Sequence, residues 1–590
     1  MKTYSDQVCN WLAEEGYTHC FFVAGGNIMH FLNSARTRFK CVPVVHEVAA
    51  GIASEYFNET SEKGKAFALV TAGPGVTNIV TSIAGAWLES RELVVIGGQV
   101  KSSDLSDGQL RQNGIQEING LELCAPITKK SIQIQSPIAK TEFIEVINNA
   151  SLGKPGPVYI EFCLDAQGAK PVSIEDEEVK ISSPNYQEIE IESVLEKLNS
   201  CERPIFLIGG GVSRSIFAKY KPMFDRIGVP IMTTWNSLDR IDSSDKLYWG
   251  RPNTWGQRFA NILLQQSDLI IAVGTRLGIQ QTGFNWKEFA PLAKIIQVDV
   301  DKNEIYKGHP VVDLPVHNTS QNFLASLDKR ISDLKMNDLS DWIDFGKEVK
   351  GSLPLMDPSN KTSKGYVDPY FFIEELSTVL DSNDIIIPCS SGGAFTTTMQ
   401  SFMQKVGQKV VSNKGLASMG YGLSGAIGAA FANPGKRTIL IEGDGGFAQN
   451  IQELGTVRAS KLPIKIFIYS NEGYASIKMT QLNYFEGSYI GCDVNTGLGM
   501  PTDWYKIFEA YSIKSISLNP ENLFSEEALS LLNNSDPVVF ILPIDPDQTY
   551  FPKITSKVLE NGQMVSNPLH LMSPSLDKEQ EKSLLRYLQV

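Results

Sequence analysis

Two oxygen-bearing side chains, Asp444 and Asn471, lie 27 positions apart, and each follows a stretch that predicts a buried strand. Residues 437–441 (RTILI) predict the first strand and residues 464–469 (IKIFIY) the second, with a helix over 448–460 between them. Open α/β sheets bind ligands at the carboxyl ends of such strands. Mg²⁺ prefers hard oxygen ligands and keeps places for water and a phosphate. The pair therefore predicts a Mg²⁺-diphosphate site, with a Gly-Asp-Gly turn beside an unrelated Asn as the alternative.

Glycines flank both this aspartate and a second loop. Gly443 and Gly445 predict a sharp turn around Asp444, and glycines at such a place let backbone N–H groups approach a phosphate. The stretch 388–393 (PCSSGG) follows a predicted strand over 384–387. It is a second candidate for a phosphate-facing loop, although alone it is only a polar turn.

Glu47 is the candidate proton-transfer group. It lies in the stretch 46–50 (HEVAA), at a predicted strand-to-helix junction. A zinc-protease helix would need His where this chain has Ala50, so the metal interpretation fails. Apolar neighbours would partly desolvate Glu47 and favour its protonated form, which can share a proton with a ring nitrogen. A helix-terminal Glu stabilised by the helix dipole is the alternative.

A dinucleotide fingerprint at 420–425 (GYGLSG) suggests a rival function, a nicotinamide-dependent dehydrogenase, with Glu442 and Asp444 about twenty residues further on. That motif needs a β-strand before it, and residues 413–419 (NKGLASM) do not predict one. Close helix packing by small residues is the favoured interpretation.

Composition excludes several classes of protein. A chain of 590 residues is too long for one core and predicts about three domains. The net charge of −13, without a basic block, argues against nucleic-acid or anionic-membrane binding. Eight scattered cysteines without a Cys-x-x-Cys pair predict a reduced, cytoplasmic protein without a zinc knuckle. We find no signal peptide and no apolar run of 18 residues.

The alternation of strand-like and helix-like stretches predicts an α/β protein of three doubly wound parallel-sheet domains. The predicted domains are 1–166, 187–334 and 365–545, followed by a tail at 546–590, with linkers at 167–186 and 335–364. The first and third share a strand rhythm, as if one plan were used twice. The tail is expected either to lie across an active site or to form a surface arm.

Together these stretches resemble the thiamine-diphosphate-dependent enzymes, most closely the acetolactate synthase (acetohydroxyacid synthase) family. The resemblance extends over nearly the whole chain. It rests on motifs in this order: His46–Ala50, Thr71–Gly75, Gly97–Val100, Ile115–Glu117, Gly153–Pro157, Gly274–Arg276, Gly415–Gly422, and Gly443–Gly445 with Asn471. It implies a pyrimidine-binding, a central FAD-binding-like and a diphosphate-binding domain.

The resemblance also implies roles for individual residues. Asp444, Asn471 and the carbonyl of Gly473 would hold Mg²⁺, Glu47 and Gln116 would be catalytic, and Met419 would hold the cofactor in its bent form. The implied thiamine-diphosphate contacts are Gly25, Gly26, Glu47, Pro74, Ser391, Gly392, Gly393, Leu416, Met419, Gly443, Asp444, Gly445, Gly446, Asn471 and Tyr474. FAD would lie on Gly209, Gly210, Gly211, Gly274, Arg276 and Asp299. Glu47 would reach the cofactor of a partner subunit, so a homodimer or a dimer of dimers is expected.

The implied reaction decarboxylates pyruvate and transfers the two-carbon unit to an acceptor carbonyl. The acceptor would be a 2-keto acid or a ketone such as a keto-sugar nucleotide. A pyruvate decarboxylase or pyruvate oxidase without C–C coupling is the alternative. Intact Glu47, Asp444 and Asn471 argue against a non-catalytic homologue.

Departures from the family pattern concern the acceptor half of the reaction. Ile115 stands where the synthases carry Phe, residues 471–481 lack the family's Trp, and residues 277–281 (LGIQQ) replace an acidic pair. Arg111 to Asn113 would suit a keto-sugar nucleotide, by analogy alone. The identity of the acceptor therefore stays open at this point.

Overall fold

The computed structural model describes residues 2–106, 108, 110–173 and 184–588. Contacts between residues divide the chain into two compact units. Unit 1 comprises residues 1–184, 383–395 and 411–546, and unit 2 comprises residues 185–382, 396–410 and 547–590. Three parallel sheets form, as predicted, from three successive parts of the chain. Within the described ranges, no helix is both long enough and apolar enough to cross a bilayer.

The first sheet is entirely parallel, with neighbours in the order β2-β1-β3-β4-β6-β5. Its strands are β1 (Tyr17–Phe22), β2 (Lys40–Pro43), β3 (Lys65–Val70), β4 (Leu93–Gln99), β5 (Lys130–Ile134) and β6 (Pro157–Cys163). The helices are α1 (Tyr4–Glu14), α2 (Met29–Ala35), α3 (Glu47–Thr60), α4 (Pro74–Glu89), α5 (Gly120–Cys124), α6 (Lys140–Asn148) and α7 (Leu164–Gly168). The sequence did not predict β5, which lies at the sheet edge and is only half-buried.

The second sheet lies in unit 2, with strand order β11-β10-β9-β7-β8. Its strands are β7 (Pro204–Ile208), β8 (Ile231–Thr233), β9 (Leu269–Val273), β10 (Lys294–Asp299) and β11 (Leu314–His317). The helices of this part are α8 (Ile191–Ser200), α9 (Arg214–Ile227), α10 (Arg258–Gln266), α11 (Ile279–Thr282), α12 (Lys302–Ile305), α13 (Ser320–Lys329), α14 (Ser340–Ser352) and α15 (Pro369–Val379).

Helix α14 corrects the prediction that residues 335–364 form a linker. Trp342, Phe345 and Val349 are buried in an apolar cluster that also contains Trp249. Their spacing places them on one face of a helix, and the other face is polar. The polar composition of the stretch concealed this single apolar stripe.

The third sheet repeats the plan of the first. In unit 1 its strands are β12 (Ile385–Pro388), β14 (Thr438–Gly443), β15 (Ile464–Ser470), β16 (Lys514–Ser517) and β17 (Val538–Pro543), while β13 (Lys409–Val410) belongs to unit 2. The order β12-β14-β15-β17-β16 matches β1-β3-β4-β6-β5 strand for strand. The helices are α16 (Gly392–Ser401), α17 (Tyr421–Ala432), α18 (Asp444–Phe447), α19 (Leu454–Ser460), α20 (Ala475–Phe485), α21 (Trp504–Ala510) and α22 (Glu526–Asn533).

Helices α3 and α17 join the first and third sheets into one core within unit 1. A Cβ on Gly428 would lie 2.0 Å from the Ala53 carbonyl oxygen, and one on Gly425 would lie 2.7 Å from the Tyr56 ring. One apolar cluster contains residues of both helices and both sheets. The glycines of 420–425 therefore serve helix packing, and no strand runs directly into them, since β13 ends at Val410, so the dinucleotide interpretation is wrong.

The tail packs into unit 2. It contains the antiparallel strands β18 (Ser556–Val558) and β19 (Met564–Ser566) and the helix α23 (Lys578–Leu584). Leu569, Met572 and Leu584 are buried in the same apolar cluster as α14. His570 bonds to Gln265 through its ring nitrogen at 3.1 Å. The tail is therefore part of the core of this unit rather than a free arm.

Candidate active site

Asp444 is fully buried at the point where β14 passes into α18. One carboxylate oxygen accepts the N–H of Gly445 at 2.7 Å. The other accepts the N–H groups of Asn471 at 3.0 Å and Glu472 at 2.8 Å. Burial raises the pKa of Asp444 to about 6, and the backbone N–H groups around it oppose that rise. This carboxylate is thus fixed at the carboxyl ends of β14 and β15, as the sequence predicts.

Two further groups, the Asn471 amide and the Gly473 carbonyl, converge beside that carboxylate. A terminal atom of the Asn471 amide lies 3.0 Å from the Gly473 carbonyl oxygen and 3.1 Å from Asp444 Oδ1. If that atom is nitrogen, the amide donates to both oxygens; if it is oxygen, three oxygens face one point. Neighbouring ligands of an octahedral Mg²⁺ are about 2.9 Å apart, because each Mg–O bond is about 2.1 Å. The arrangement therefore fits a Mg²⁺ ion held by these three residues.

The glycines around Asp444 act differently from the prediction. Gly443 has φ −79° and ψ 150°, an ordinary extended conformation, and the strand runs directly into α18 without a left-handed turn. A Cβ on Gly445 would instead lie 2.5 Å from the Tyr474 ring. The strand turns into the helix at Asp444 as predicted, although neither glycine has a positive φ, and Gly445 is required for close packing against Tyr474. A Cβ on Gly446 would lie 3.1 Å from Glu442 Oε1, which makes this helical turn tight as well.

Left-handed backbone marks three points in the predicted site. Gln116 has φ +64°, Ala417 has φ +56° and Glu472 has φ +67°. Such conformations are uncommon for residues with a side chain and collect at ligand sites. Ala417 lies between the predicted contacts Leu416 and Met419, and Glu472 separates Asn471 from Gly473. The strain therefore falls at predicted cofactor positions.

The loops around Met419 and Ser391 face the same region of unit 1. Gln449 Nε2 lies 3.5 Å from the Met419 sulfur, and Asn450 Nδ2 donates to the Gly420 carbonyl at 2.6 Å. This second bond accompanies a kink at Asn450, so residues 448–453 form a 3₁₀ segment before α19 rather than the single predicted helix. Ser390 donates through its hydroxyl to the Ser418 carbonyl. Ser391 leads into α16, where Gly392 adopts φ +87° and Gly393 follows, so this loop ends in a helix N-terminus that suits a phosphate.

Glu47 is the first residue of α3 and is only 9% exposed. Asn78 Nδ2, from α4, donates to Glu47 Oε2 at 2.9 Å. The His46 side chain caps the helix by accepting the Val48 N–H at 3.3 Å. Asn78 therefore orients the carboxylate directly, while His46 fixes the first turn of the helix that carries it. Asn78 was not predicted from the sequence, although it lies one helical turn after Pro74 and three residues beyond the Thr71–Gly75 motif.

The remaining N-terminal site residues surround the ends of β1, β3 and β4. A Cβ on Gly25 would lie 2.3 Å from Thr71, while one on Gly26 would meet open space. Pro74 is exposed at the first position of α4. Gly73, with φ +63°, admits the Gln116 backbone, because a Cβ there would lie 2.6 Å from the Gln116 carbonyl oxygen.

Glu117 organises the loop that carries Gln116. Its carboxylate accepts the N–H groups of Ser106 at 2.6 Å, Asn113 at 2.8 Å and Gly114 at 3.0 Å. Burial is the largest single influence and raises the pKa of Glu117, but these N–H groups together outweigh it and lower the pKa to about 2. The ionised carboxylate thus closes the loop at neutral pH.

Glu442 is a buried acid that packs against the start of α17. It is fully buried, and burial raises its pKa to about 8 against the N–H groups of Gly422 and Leu423. A mostly neutral carboxyl packed against Gly422 does not suit the ribose-binding acid of a dinucleotide site. This agrees with the exclusion of a dehydrogenase fingerprint.

The strand ends of unit 2 combine tight packing with unmatched polar atoms. A Cβ on Gly209 would lie 2.1 Å from the Gly274 carbonyl oxygen, and one on Gly211 would lie 2.9 Å from Gly274 Cα, while one on Gly210 would be 3.4 Å from Asn236. Asp299 accepts the Asp301 N–H at 2.9 Å, and Arg276 is exposed. Three buried atoms have no hydrogen-bond partner in the part of the chain that is described: Thr233 Oγ1, Gln297 Oε1 and His317 Nδ1.

The amino-acid sequence that forms this site matches known protein families. Residues 2–123, 191–327 and 391–541 match the N-terminal TPP binding, central and C-terminal TPP binding domains of thiamine pyrophosphate enzymes. A probable acetolactate synthase large subunit of Methanocaldococcus jannaschii is 30% identical over 560 residues, 92% of each chain. The chain described here belongs to the acetolactate synthase family of thiamine pyrophosphate enzymes.

Two further relatives of this family extend over most of the chain. The acetolactate synthase large subunit of Corynebacterium glutamicum is 30% identical, with 91% of this chain and 86% of the relative covered. The Escherichia coli isozyme 1 large subunit is 26% identical, with 94% and 96% covered. The chain is thus a thiamine-diphosphate-dependent enzyme, and its three sheets are the N-terminal, central and C-terminal domains of that family.

Proposed function

We propose that the protein decarboxylates pyruvate and joins the resulting two-carbon unit to an acceptor carbonyl. The relatives named as acetolactate synthases support this reaction class. The observation that carries the proposal is the convergence of Asp444 Oδ1, the Gly473 carbonyl and the Asn471 amide at 3.0–3.1 Å. These residues would hold Mg²⁺ on the diphosphate, and bound thiamine diphosphate would supply the carbanion-stabilising ring.

The residues of the chain then bind, orient and move protons. Ser391 to Gly393 would bind the diphosphate at the start of α16, and Met419 would support the bent cofactor. Glu47 would exchange a proton with the aminopyrimidine ring, with its carboxylate oriented by Asn78. Gln116 would orient the substrate from the loop that Glu117 closes. From the likeness to the thiamine pyrophosphate enzymes, we propose that Glu47 serves the cofactor of a partner chain in a homo-oligomer.

The test is the release of labelled carbon dioxide from pyruvate. Release should require both Mg²⁺ and thiamine diphosphate, and Glu47→Gln should lower the turnover by about a hundredfold or more. Gly351→Ala, where an added methyl group meets open space, serves as a control variant outside the proposed site. Full activity of Glu47→Gln would refute the role of Glu47, and release without cofactor would refute the function.

Product analysis distinguishes coupling from simple decarboxylation. Incubation with labelled pyruvate and a panel of 2-keto acids and keto-sugar nucleotides should give a coupled product, identified by mass. Acetaldehyde or acetyl phosphate alone would instead support a decarboxylase or an oxidase. The acceptor class is thereby read from the product itself.

We further propose FAD in unit 2. The unmatched buried atoms of Thr233, Gln297 and His317 at the strand ends suit a polar ligand. Asp299 and Arg276 lie at the ends of β10 and β9, where a ribose or phosphate would be held. Visible flavin absorption of the purified protein, released on denaturation, tests this; a colourless protein that takes up no added FAD would refute it. The cytoplasm is the proposed location, because all eight cysteines are free thiols.

A further inference from the structure

Glu453 is a buried carboxylate that the proposed reaction does not use. It is fully buried at the end of the 3₁₀ segment 448–453, nine residues after Asp444. Thr456 donates its hydroxyl to Glu453 Oε2 at 2.7 Å. Burial raises the pKa of Glu453, and its hydrogen bonds to Thr456 and to the backbone act in the opposite direction. A buried acid without a salt bridge needs such donors to compensate its desolvation.

The backbone donors come from the junction that precedes Glu47. Val45 N–H donates to both carboxylate oxygens at 3.1 and 3.3 Å, and His46 N–H donates to Oε1 at 3.0 Å. These residues lie between the end of β2 and the first turn of α3. The carboxylate also faces the N-terminus of a 14-residue helix, where the helix dipole favours negative charge. The bonds cross 407 and 408 positions of sequence, so no local force would replace them.

The same 3₁₀ segment also supports the cofactor-facing loop of the third sheet. Gln449 contacts Met419, and Asn450 bonds to Gly420. The segment therefore lies between two predicted cofactor elements, Met419 at one end and the Glu47 junction at the other.

We propose that Glu453 is a positioning residue for Glu47: it fixes the backbone of Val45 and His46 and thereby the direction in which the Glu47 carboxylate points. This rests on the proposed role of Glu47 in proton exchange with the cofactor. In a two-chain site it also links the metal-bearing domain of one site to the acid that serves the other.

The test compares Glu453→Gln with Thr456→Val. The amide of Glu453→Gln removes the charge and one of the two oxygens that accept the Val45 N–H, whereas Thr456→Val keeps the carboxylate and all three backbone contacts. In the apo protein, hydrogen–deuterium exchange followed by mass spectrometry should show at least about tenfold faster exchange in a peptide covering residues 44–48 only for Glu453→Gln. Unchanged amide exchange in Glu453→Gln would show that Glu453 does not hold the backbone of Val45 and His46, and would overturn the proposal.

The second readout is the exchange of the cofactor C2 proton into deuterated water at saturating Mg²⁺ and thiamine diphosphate. Glu453→Gln should slow it about tenfold, and Thr456→Val should leave it near the wild-type rate. Faster amide exchange with an unchanged C2 rate would show a purely structural contact and overturn the positioning role. Glu47→Gln separates the two failures: if it also leaves the C2 rate unchanged, the proposed role of Glu47 fails, whereas a slowed Glu47→Gln beside an unchanged Glu453→Gln overturns the role of Glu453 alone.

Discussion

The buried ion pair between Arg91 and Glu55 offers the most quantitative prediction. Arg91 Nη1 donates to Glu55 Oε1 at 2.8 Å, and the Arg91 guanidinium also donates to the Ser412 carbonyl at 2.6 Å. Glu55 is fully buried and also accepts from Tyr421 at 3.0 Å and Asn413 at 3.1 Å. Removing one partner of such a pair costs about 3–5 kcal/mol. Unit 1 has roughly 330 residues, so its unfolding entropy is about 0.7 kcal/mol per degree. Arg91→Met should therefore lower the Tm by about 4–7 °C.

The loss of Tm in Arg91→Met should change with pH in a defined direction. Burial already raises the pKa of Glu55, although Arg91 opposes the rise. Without Arg91 the pKa rises further, and a protonated carboxyl tolerates burial. The deficit in Tm should thus be smallest below the ordinary pKa of glutamate and should grow as the pH rises towards the folded-state pKa.

Calorimetric scans at pH 5.5 and pH 8 would check both the size and the sign. The double variant Arg91→Met with Glu55→Gln should recover part of the loss, because no unpaired charge remains. A shift below about 2 °C at pH 8, or a double variant no more stable than Arg91→Met, would refute the reasoning.

Three further predictions concern the site and the core. Asn471→Ala should raise the half-saturating Mg²⁺ concentration at least about tenfold, or about 1.4 kcal/mol, in a titration of activity; an unchanged value would contradict the metal role. Glu117→Gln should speed exchange of the Ser106, Asn113 and Gly114 amides at neutral pH, whereas wild-type protection should hold down to about pH 4, since its depressed pKa keeps the carboxylate ionised; equal exchange in both proteins would contradict this. Gly428→Ala should lower the Tm by several degrees through collision with Ala53, while Gly351→Ala, which has open space, should not; a stable Gly428→Ala would contradict the packing argument.

Local patterns predicted the parts of the fold that local forces determine. The strands and helices around Asp444, Asn471 and Glu47 lie within a few residues of their predicted bounds, because each is an apolar run bounded by turn residues. The polar edge strand β5 and the amphipathic helix α14 were not predicted. Each has few apolar residues, and these are buried only because neighbouring elements pack against them.

The residues that hold the site in place were harder to predict than the residues expected to bind its ligands. Asp444 and Asn471 are identified by their spacing, but Glu453 meets Val45 from 408 positions away, and nothing near either residue indicates the contact. Gly445 illustrates a second limit. The sequence shows only that a glycine is present. The structure shows the reason, because a side chain at this position would collide with the Tyr474 ring.

The interior shared by α3 and α17 has a consequence for recombination between relatives. Exchanging only the first domain would set a foreign helix against Gly425 and Gly428, where no added methyl group fits. The central domain keeps apolar clusters of its own, but one of them includes Leu569 and Met572 from the end of the chain. Viable chimaeras should therefore inherit the first and third domains from one parent, and the central domain together with the tail from the other.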